Sequence, residues 1–230
     1  VRLATFSFGC GVDSVLIYSR KSRVLFTHVS RTGGTGGTAI ADCLRRSLPD
    51  SKELLGQHEP PVCARSVLGE LFDRSFKFAF VRNPWDRFVS WYALIGRSTH
   101  TPETEPASLV DPESEHWKGF DAFLENWSAE TALIDGALRR RLGQWDQLAD
   151  ADGQLLTDDV GRFETLAEDA DRLFAKAGID CPSLPTMNSS RHHHYSLYYS
   201  DFGRELVDSV FRRDVEQFGY RFEEPRGSPF

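Results

Sequence analysis

The sequence lacks the marks of several large protein classes. Its four cysteines, Cys10, Cys43, Cys63 and Cys181, include no Cys-x-x-Cys pair. A thiolate metal site or dithiol redox motif therefore has no support, and reduced, partly buried thiols are expected. No apolar run reaches the length of a membrane span. An excess of positive charge is missing too. The net charge of −7 argues against a general nucleic-acid binder and a broad polyanion-binding face, but leaves room for a local basic pocket. No internal repeat is present. A secretory signal is not expected, because Asp13 interrupts the N-terminal apolar stretch and Arg20, Lys21 and Arg23 follow it rather than precede it. The location expected from these absences is cytoplasmic.

What remains is an ordinary globular composition. With 40% hydrophobic and 27% charged residues, wholesale disorder is excluded. A chain of 230 residues is expected to form one domain with a sizeable core. Residues 1–22 show no clear period; a preceding strand and a turn, or a loosely attached segment, fits them. Val24 to Val29 reads as a buried strand, and a helix is expected from about Thr38 to Leu48, where Pro49-Asp50 stops it. Ser51 to Pro61 reads as extended or loop. Helical spacing recurs over Val62–Phe72, and the alternating aromatics of Phe76–Val81 predict a second buried strand. Asn83 is a good N-cap and Pro84 suits a first helical turn, so a helix is expected to about Ile95. Thr99 to Pro112 reads as a surface loop. Helices follow over Gly119–Trp127 and Thr131–Leu148, then a strand over Val160–Phe163, then helices over Glu164–Ala177 and Asp201–Phe218. Strands alternating with helices predict an α/β fold around a mostly parallel sheet.

Two strand ends carry ligand-type residues. The first strand breaks into Ser30-Arg31-Thr32-Gly33-Gly34-Thr35-Gly36-Gly37-Thr38. A strand, a glycine-rich loop and a helix make a phosphate cradle, since backbone N–H groups can approach an anion and the helix N-terminus adds positive charge. The loop has no lysine where a nucleoside-triphosphate loop requires one; its cation, Arg31, precedes the glycines. The second strand ends in Arg82-Asn83-Pro84-Trp85-Asp86-Arg87-Phe88-Val89-Ser90. An arginine at the strand end and a hydroxyl two turns along the helix can grip one phosphate, although a capped helix with a structural arginine fits the same residues. In open α/β sheets, ligands bind at this carboxyl edge.

Together these motifs resemble the sulfotransferases that use 3′-phosphoadenosine 5′-phosphosulfate (PAPS), and among them the carbohydrate branch (Golgi-type, or family 2), in a soluble bacterial-type form. The residues matching that family are Ser30 to Thr35, Phe78 to Ser90, His58 between them, and then Gly161 to Asp169, Asn188 and Asp214 to Tyr220. The resemblance covers about residues 24–222. It implies a three-layer sandwich of the P-loop nucleotide-hydrolase kind, forming a single domain over residues 1–230. It also implies transfer of a sulfuryl group from PAPS to a hydroxyl, on a carbohydrate or glycoconjugate acceptor, without a metal. Arg31, Thr32, Gly33, Gly34 and Thr35 would hold the 5′-phosphosulfate, and Arg82 and Ser90 the 3′-phosphate. His58 would be the base, with Glu59 an orienter or alternative base; the plain readings are a loop histidine and a surface carboxylate. The family usually has lysine where this chain has Arg31. Arginine keeps the charge and can grip phosphate with two bonds, but it stays protonated, so an electrostatic clamp is expected of it. Two other functions fit parts of the pattern: a non-catalytic or weakly active nucleotide binder on the same fold, and an ATP-dependent small-molecule kinase.

Other residues have plainer readings. His192-His193-His194 do not share a helix face and have no ligands at metal spacing nearby; with Tyr195, Tyr198 and Tyr199 they would line the acceptor side. Trp85, Trp91 and Trp145 are read as core, with stacking on a ligand as the alternative. Arg139 to Arg141 form a solvated face or contact an anion. Asn188 organises a loop or joins the site. Acceptor specificity is expected from the loops Ser51–Pro61, Gly96–Trp117 and Cys181–Tyr199.

Overall fold

The computed structural model describes residues 16–29, 31–32, 39–54, 61–98, 111–133, 143–181, 184 and 193–224. Strands β1 (Leu16–Ser19) and β2 (Val24–Thr27) form a hairpin, and helix α1 (Ala39–Ser47) follows. Strand β3 (Lys52–Leu54) leads to α2 (Pro61–Leu68) and α3 (Glu70–Asp73). Strand β4 (Phe76–Val81) runs into α4 (Pro84–Ser98). Then come α5 (Glu115–Lys118), α6 (Phe120–Leu133) and α7 (Gln144–Leu148). Strand β5 (Asp159–Arg162) feeds a short 3-10 turn and α8 (Leu166–Ala177); α9 (Asp201–Val210) and α10 (Arg212–Phe218) end the described fold.

The five strands lie in the order β3-β1-β2-β4-β5. β2, β4 and β5 pair parallel, while β1 is antiparallel to both of its neighbours. Four of the five strands therefore point one way, as the alternation of strands and helices predicts. β1 and the turn after it realise one of the two readings of residues 1–22, without a period to announce them. β1 is four residues long and buried at every position, so it shows neither alternation nor length. β3 takes the extended alternative for the start of the Ser51–Pro61 stretch. The helical stretch after it breaks at Gly69, whose φ of +54 ends α2 and restarts the chain as α3.

Side chains leave β4 alternately toward two helical layers. Phe78 and Phe80 pack with Phe26, with Ile40 and Leu44 of α1, and with Leu173 and Phe174 of α8. Ala79 and Val81 pack on the other face, with Phe88 and Val89 of α4 and with Leu124 and Val207. The helices after β2 and β4, which are neighbouring parallel strands, thus leave to opposite faces. A crevice opens between two such strand ends, where an α/β sheet accepts a ligand. Gly161 of β5 is required by this packing, since a Cβ there would lie 2.4 Å from the Phe80 ring and 2.9 Å from Leu173.

Cys43 of α1 and Cys181, just beyond α8, are joined as a disulfide with Cα atoms 6.3 Å apart. This corrects the expectation of reduced thiols for these two residues. They are 138 residues apart in sequence, so only the fold brings them together. No helix among the described residues is long and apolar enough to cross a membrane.

Candidate functional site

Arg31 and Arg82 stand at the carboxyl ends of β2 and β4, side by side. Thr27 pairs with Ala79 across the parallel ladder, so each arginine lies a few residues beyond a shared rung. Ser90 comes to the same place from α4, two turns in from Pro84.

The β4–α4 corner is held by side chains. The Arg82 N–H donates to Gln144 Oε1 at 2.8 Å, and the Asn83 N–H to Glu164 Oε1 at 2.6 Å. Asn83 caps the helix by accepting the Trp85 N–H at its Oδ1, 3.0 Å away. That matches the cap expected of it. The other end of the Asn83 amide donates to the Arg221 carbonyl at 3.0 Å and to Tyr195 Oη at 3.3 Å, tying the C-terminal segment to the corner. Pro84 has no N–H. The backbone donors from Arg82 to Trp85 are therefore all spent, and an anion at this corner must be met by side chains.

Those side chains form a chain of contacts. Arg82, 4% exposed, donates from Nε to Asp86 Oδ2 at 2.7 Å, and its guanidinium carbon lies 4.1 Å from the Phe163 ring centroid. Its Nη1 reaches the Arg31 carbonyl at 3.3 Å. Arg31 is half-buried and crosses to α4, where Nη2 donates to the Ser90 carbonyl at 2.9 Å and to Ser90 Oγ at 2.6 Å. Because Oγ accepts this bond, the Ser90 hydroxyl proton remains to be donated. Arg31 adopts a φ of +68, a left-handed conformation costly for a residue with a Cβ. Thr32, buried, closes the turn by donating Oγ1 to the Val29 carbonyl at 2.7 Å, so its hydroxyl faces a ligand only as an acceptor.

Behind the corner lies Arg87, 1% exposed, whose guanidinium sits over the Trp91 ring. Burial pushes it down to about 10, against the opposing charge of Asp214. Asp214, also 1% exposed, accepts the Gln144 and Trp145 N–H groups at 2.8 Å each. Burial holds its carboxyl above the usual carboxylate range, against those bonds and Arg87. Burial likewise raises the Tyr195 phenol to about 12, so it serves as a neutral hydrogen-bonding group.

The structure thus brings together Arg31, Arg82 and Ser90, with Thr32 in the adjoining turn. Sequence reasoning assigned Arg31 to one anion and Ser90 to another; in the fold they share a hydrogen bond. Gly33, Gly34, Thr35, His58, Glu59, Asn188, His192 and Arg139 to Arg141 lie outside the described residues. His194 Nδ1 is bonded to Ser196 Oγ at 2.9 Å. Trp85 is core, donating Nε1 to the Arg204 carbonyl. Sequence reasoning missed Gln144, Asp86 and the role of Asp214. Asp86 stands four residues after Arg82, a spacing that marks a helical ion pair. Gln144 has no local signal.

Residues 15–221 match the sulfotransferase family. The chain is also similar to carbohydrate sulfotransferase 10 of Pongo abelii, at 21% identity over 87% of this chain and 65% of that protein. To carbohydrate sulfotransferase 10 of Xenopus laevis it is 23% identical, over 91% of this chain and 68% of that protein. It therefore spans about two thirds of the length of these relatives. No solved structure matches it.

Proposed function

The chain belongs to the sulfotransferase family, and from that premise we propose that it transfers a sulfuryl group from PAPS to a hydroxyl of a carbohydrate or glycoconjugate. The observation that carries this reading is the convergence of Arg31, Arg82 and Ser90 between two parallel strand ends, with Arg31 Nη2 2.6 Å from Ser90 Oγ. Two guanidinium groups and a hydroxyl with a proton to donate suit a nucleotide carrying more than one anionic group. The fold is read as a P-loop nucleotide-hydrolase-like three-layer sandwich, and the chain as a single sulfotransferase domain.

In this reading Arg82 and Ser90 receive the 3′-phosphate, and the turn from Arg31 to Thr35 receives the phosphosulfate. The donor supplies the sulfuryl group; the chain binds it, orients it and neutralises its charge. Arg31 remains protonated and acts as a clamp, not as a proton donor. His58 is the base that takes the acceptor proton, because imidazole titrates near neutrality. No metal is assigned a role.

The test is thermal stabilisation by adenosine 3′,5′-bisphosphate, the product nucleotide, compared with ATP and AMP. At 100 times its dissociation constant, the preferred nucleotide adds about 2.7 kcal/mol. The bisphosphate is expected to stabilise most; a preference for ATP refutes the donor assignment and favours the kinase. A second reading, binding with little transfer, is motivated by Arg31, where the family resemblance leads one to expect lysine. Sulfate transfer to a panel of sugar acceptors separates the two.

A further inference from the structure

One residue past β4, the backbone is paired by a side chain instead of a strand. The Arg82 N–H donates to Gln144 Oε1 at 2.8 Å, and Gln144 Nε2 donates to the Arg82 carbonyl at 2.7 Å. The primary amide of Gln144 thus imitates a neighbouring strand's peptide group. Gln144 has no exposed surface. It is seated in turn by Asp214, whose two oxygens accept the Gln144 and Trp145 N–H groups and whose Oδ2 also lies 3.4 Å from Gln144 Nε2. The three residues come from α10, α7 and the position just past β4, so the clamp exists only in the folded chain.

A buried amide of this kind stiffens a core wherever it lies. This one ends on the residue whose side chain enters the candidate site. With its backbone held by two bonds, Arg82 has Asp86 at its Nε edge, Phe163 on one face of the fork and the Arg31 carbonyl at Nη1. Little freedom is left in where the guanidinium points. Charged groups that bind anions are effective when their direction is fixed before the anion arrives. Without Gln144, the Arg82 N–H and C=O would be buried and unmatched, and the strand end would shift to find partners.

We propose that Gln144, seated by Asp214, is a positioning residue for donor binding: it fixes the Arg82 backbone so that the guanidinium is preset for the 3′-phosphate. This rests on the reading that Arg82 grips that phosphate.

The experiment measures the affinities of adenosine 3′,5′-bisphosphate and of adenosine 5′-phosphosulfate, which lacks the 3′-phosphate. The full chain, Gln144→Leu, Arg82→Ala and the double variant are compared. Arg82→Ala tests the underlying reading. If it binds the bisphosphate as tightly as wild type, the donor assignment fails at Arg82 and the proposal falls with it. Where Arg82→Ala does weaken the bisphosphate, Gln144→Leu is expected to weaken it about tenfold, the size of one buried hydrogen bond. The same variant should leave the 5′-phosphosulfate within about twofold and add nothing in the Arg82→Ala background. Equal losses for both nucleotides, or additive losses in the double variant, overturn the proposal and leave Gln144 a general core residue. Should Gln144→Leu fail to fold, Gln144→Met keeps the side-chain length and most of the volume while removing both hydrogen bonds to the Arg82 backbone. It is expected to show the same selective loss, and unchanged discrimination between the nucleotides overturns the proposal.

Discussion

β2 and β4 run parallel, pair in register and end at the same edge of the sheet, yet the chain leaves them in opposite ways. Beyond β4, a helix starts within three residues, and Gln144, Glu164 and Asn83 take up the corner's N–H groups. Beyond β2, the chain turns through an arginine at a φ of +68. The contacts of that turn include the Thr32 hydroxyl on the Val29 carbonyl and two arginine side chains reaching across from one strand end to the other. The corner is built from the core outward, whereas the turn leans on the corner. Arg82 holds the Arg31 carbonyl, and Ser90 receives the Arg31 head. The Arg31 side chain and the Arg31 carbonyl are thus both held from the β4–α4 side.

The largest effect is expected at the base of the corner. Asp214→Ala strips a buried carboxylate from two N–H donors and from the neighbourhood of Arg87, and should cost about 3–5 kcal/mol. Chemical denaturation measures it; a loss under 1 kcal/mol would show that the corner is not braced from behind. Arg31→Ala should spare the fold but cut sulfuryl-transfer turnover about 100-fold, the loss of one preorganised charge donor. Its effect on bisphosphate affinity should be smaller, and equal losses in both would sink the clamp role.

Acid separates the corner from the surface. Asp169 accepts the Arg162 N–H and the Thr165 hydroxyl and pairs with Arg172. Burial pushes its carboxyl up, but those partners outweigh burial and hold it below the usual range. Asp214 stands above that range. A raised folded-state value contributes stability that is lost as pH rises through it, and a depressed one contributes stability that is lost as pH falls through it. Thermal unfolding should therefore show the wild-type advantage over Asp214→Asn shrinking as pH rises above about 4, and that over Asp169→Asn shrinking as pH falls below about 4. Parallel trends would contradict the assignment. The smallest effect concerns the turn alone: Arg31→Gly should be more stable than Arg31→Ala by about 1 kcal/mol, because glycine adopts positive φ without strain. Equal melting temperatures would remove strain from the account.

How much of this was legible in the sequence follows from the range of the interactions. The β4–α4 unit reads directly from Phe76 to Ser90, because alternating aromatics, an N-cap and a proline are local signals. The single helix expected over Asp201–Phe218 is divided at Phe211, where φ leaves the helical range although the apolar spacing continues. Arg31, Arg82 and Ser90 were legible as anion-binding types at two strand ends. Their shared hydrogen bond was not, because it joins residues 59 apart. Gln144 lies 62 residues from Arg82 and 70 from Asp214, so no spacing announces it. The disulfide escaped for the same reason.

The most direct test of the central claim, that two strand ends make one donor site, is the affinity of adenosine 3′,5′-bisphosphate for wild type, Arg31→Ala, Ser90→Ala and the double variant. Each single change is expected to weaken binding, and the double variant should lose less than the sum, because the two side chains share a hydrogen bond. Full affinity in either single variant, or strictly additive losses, would contradict the account.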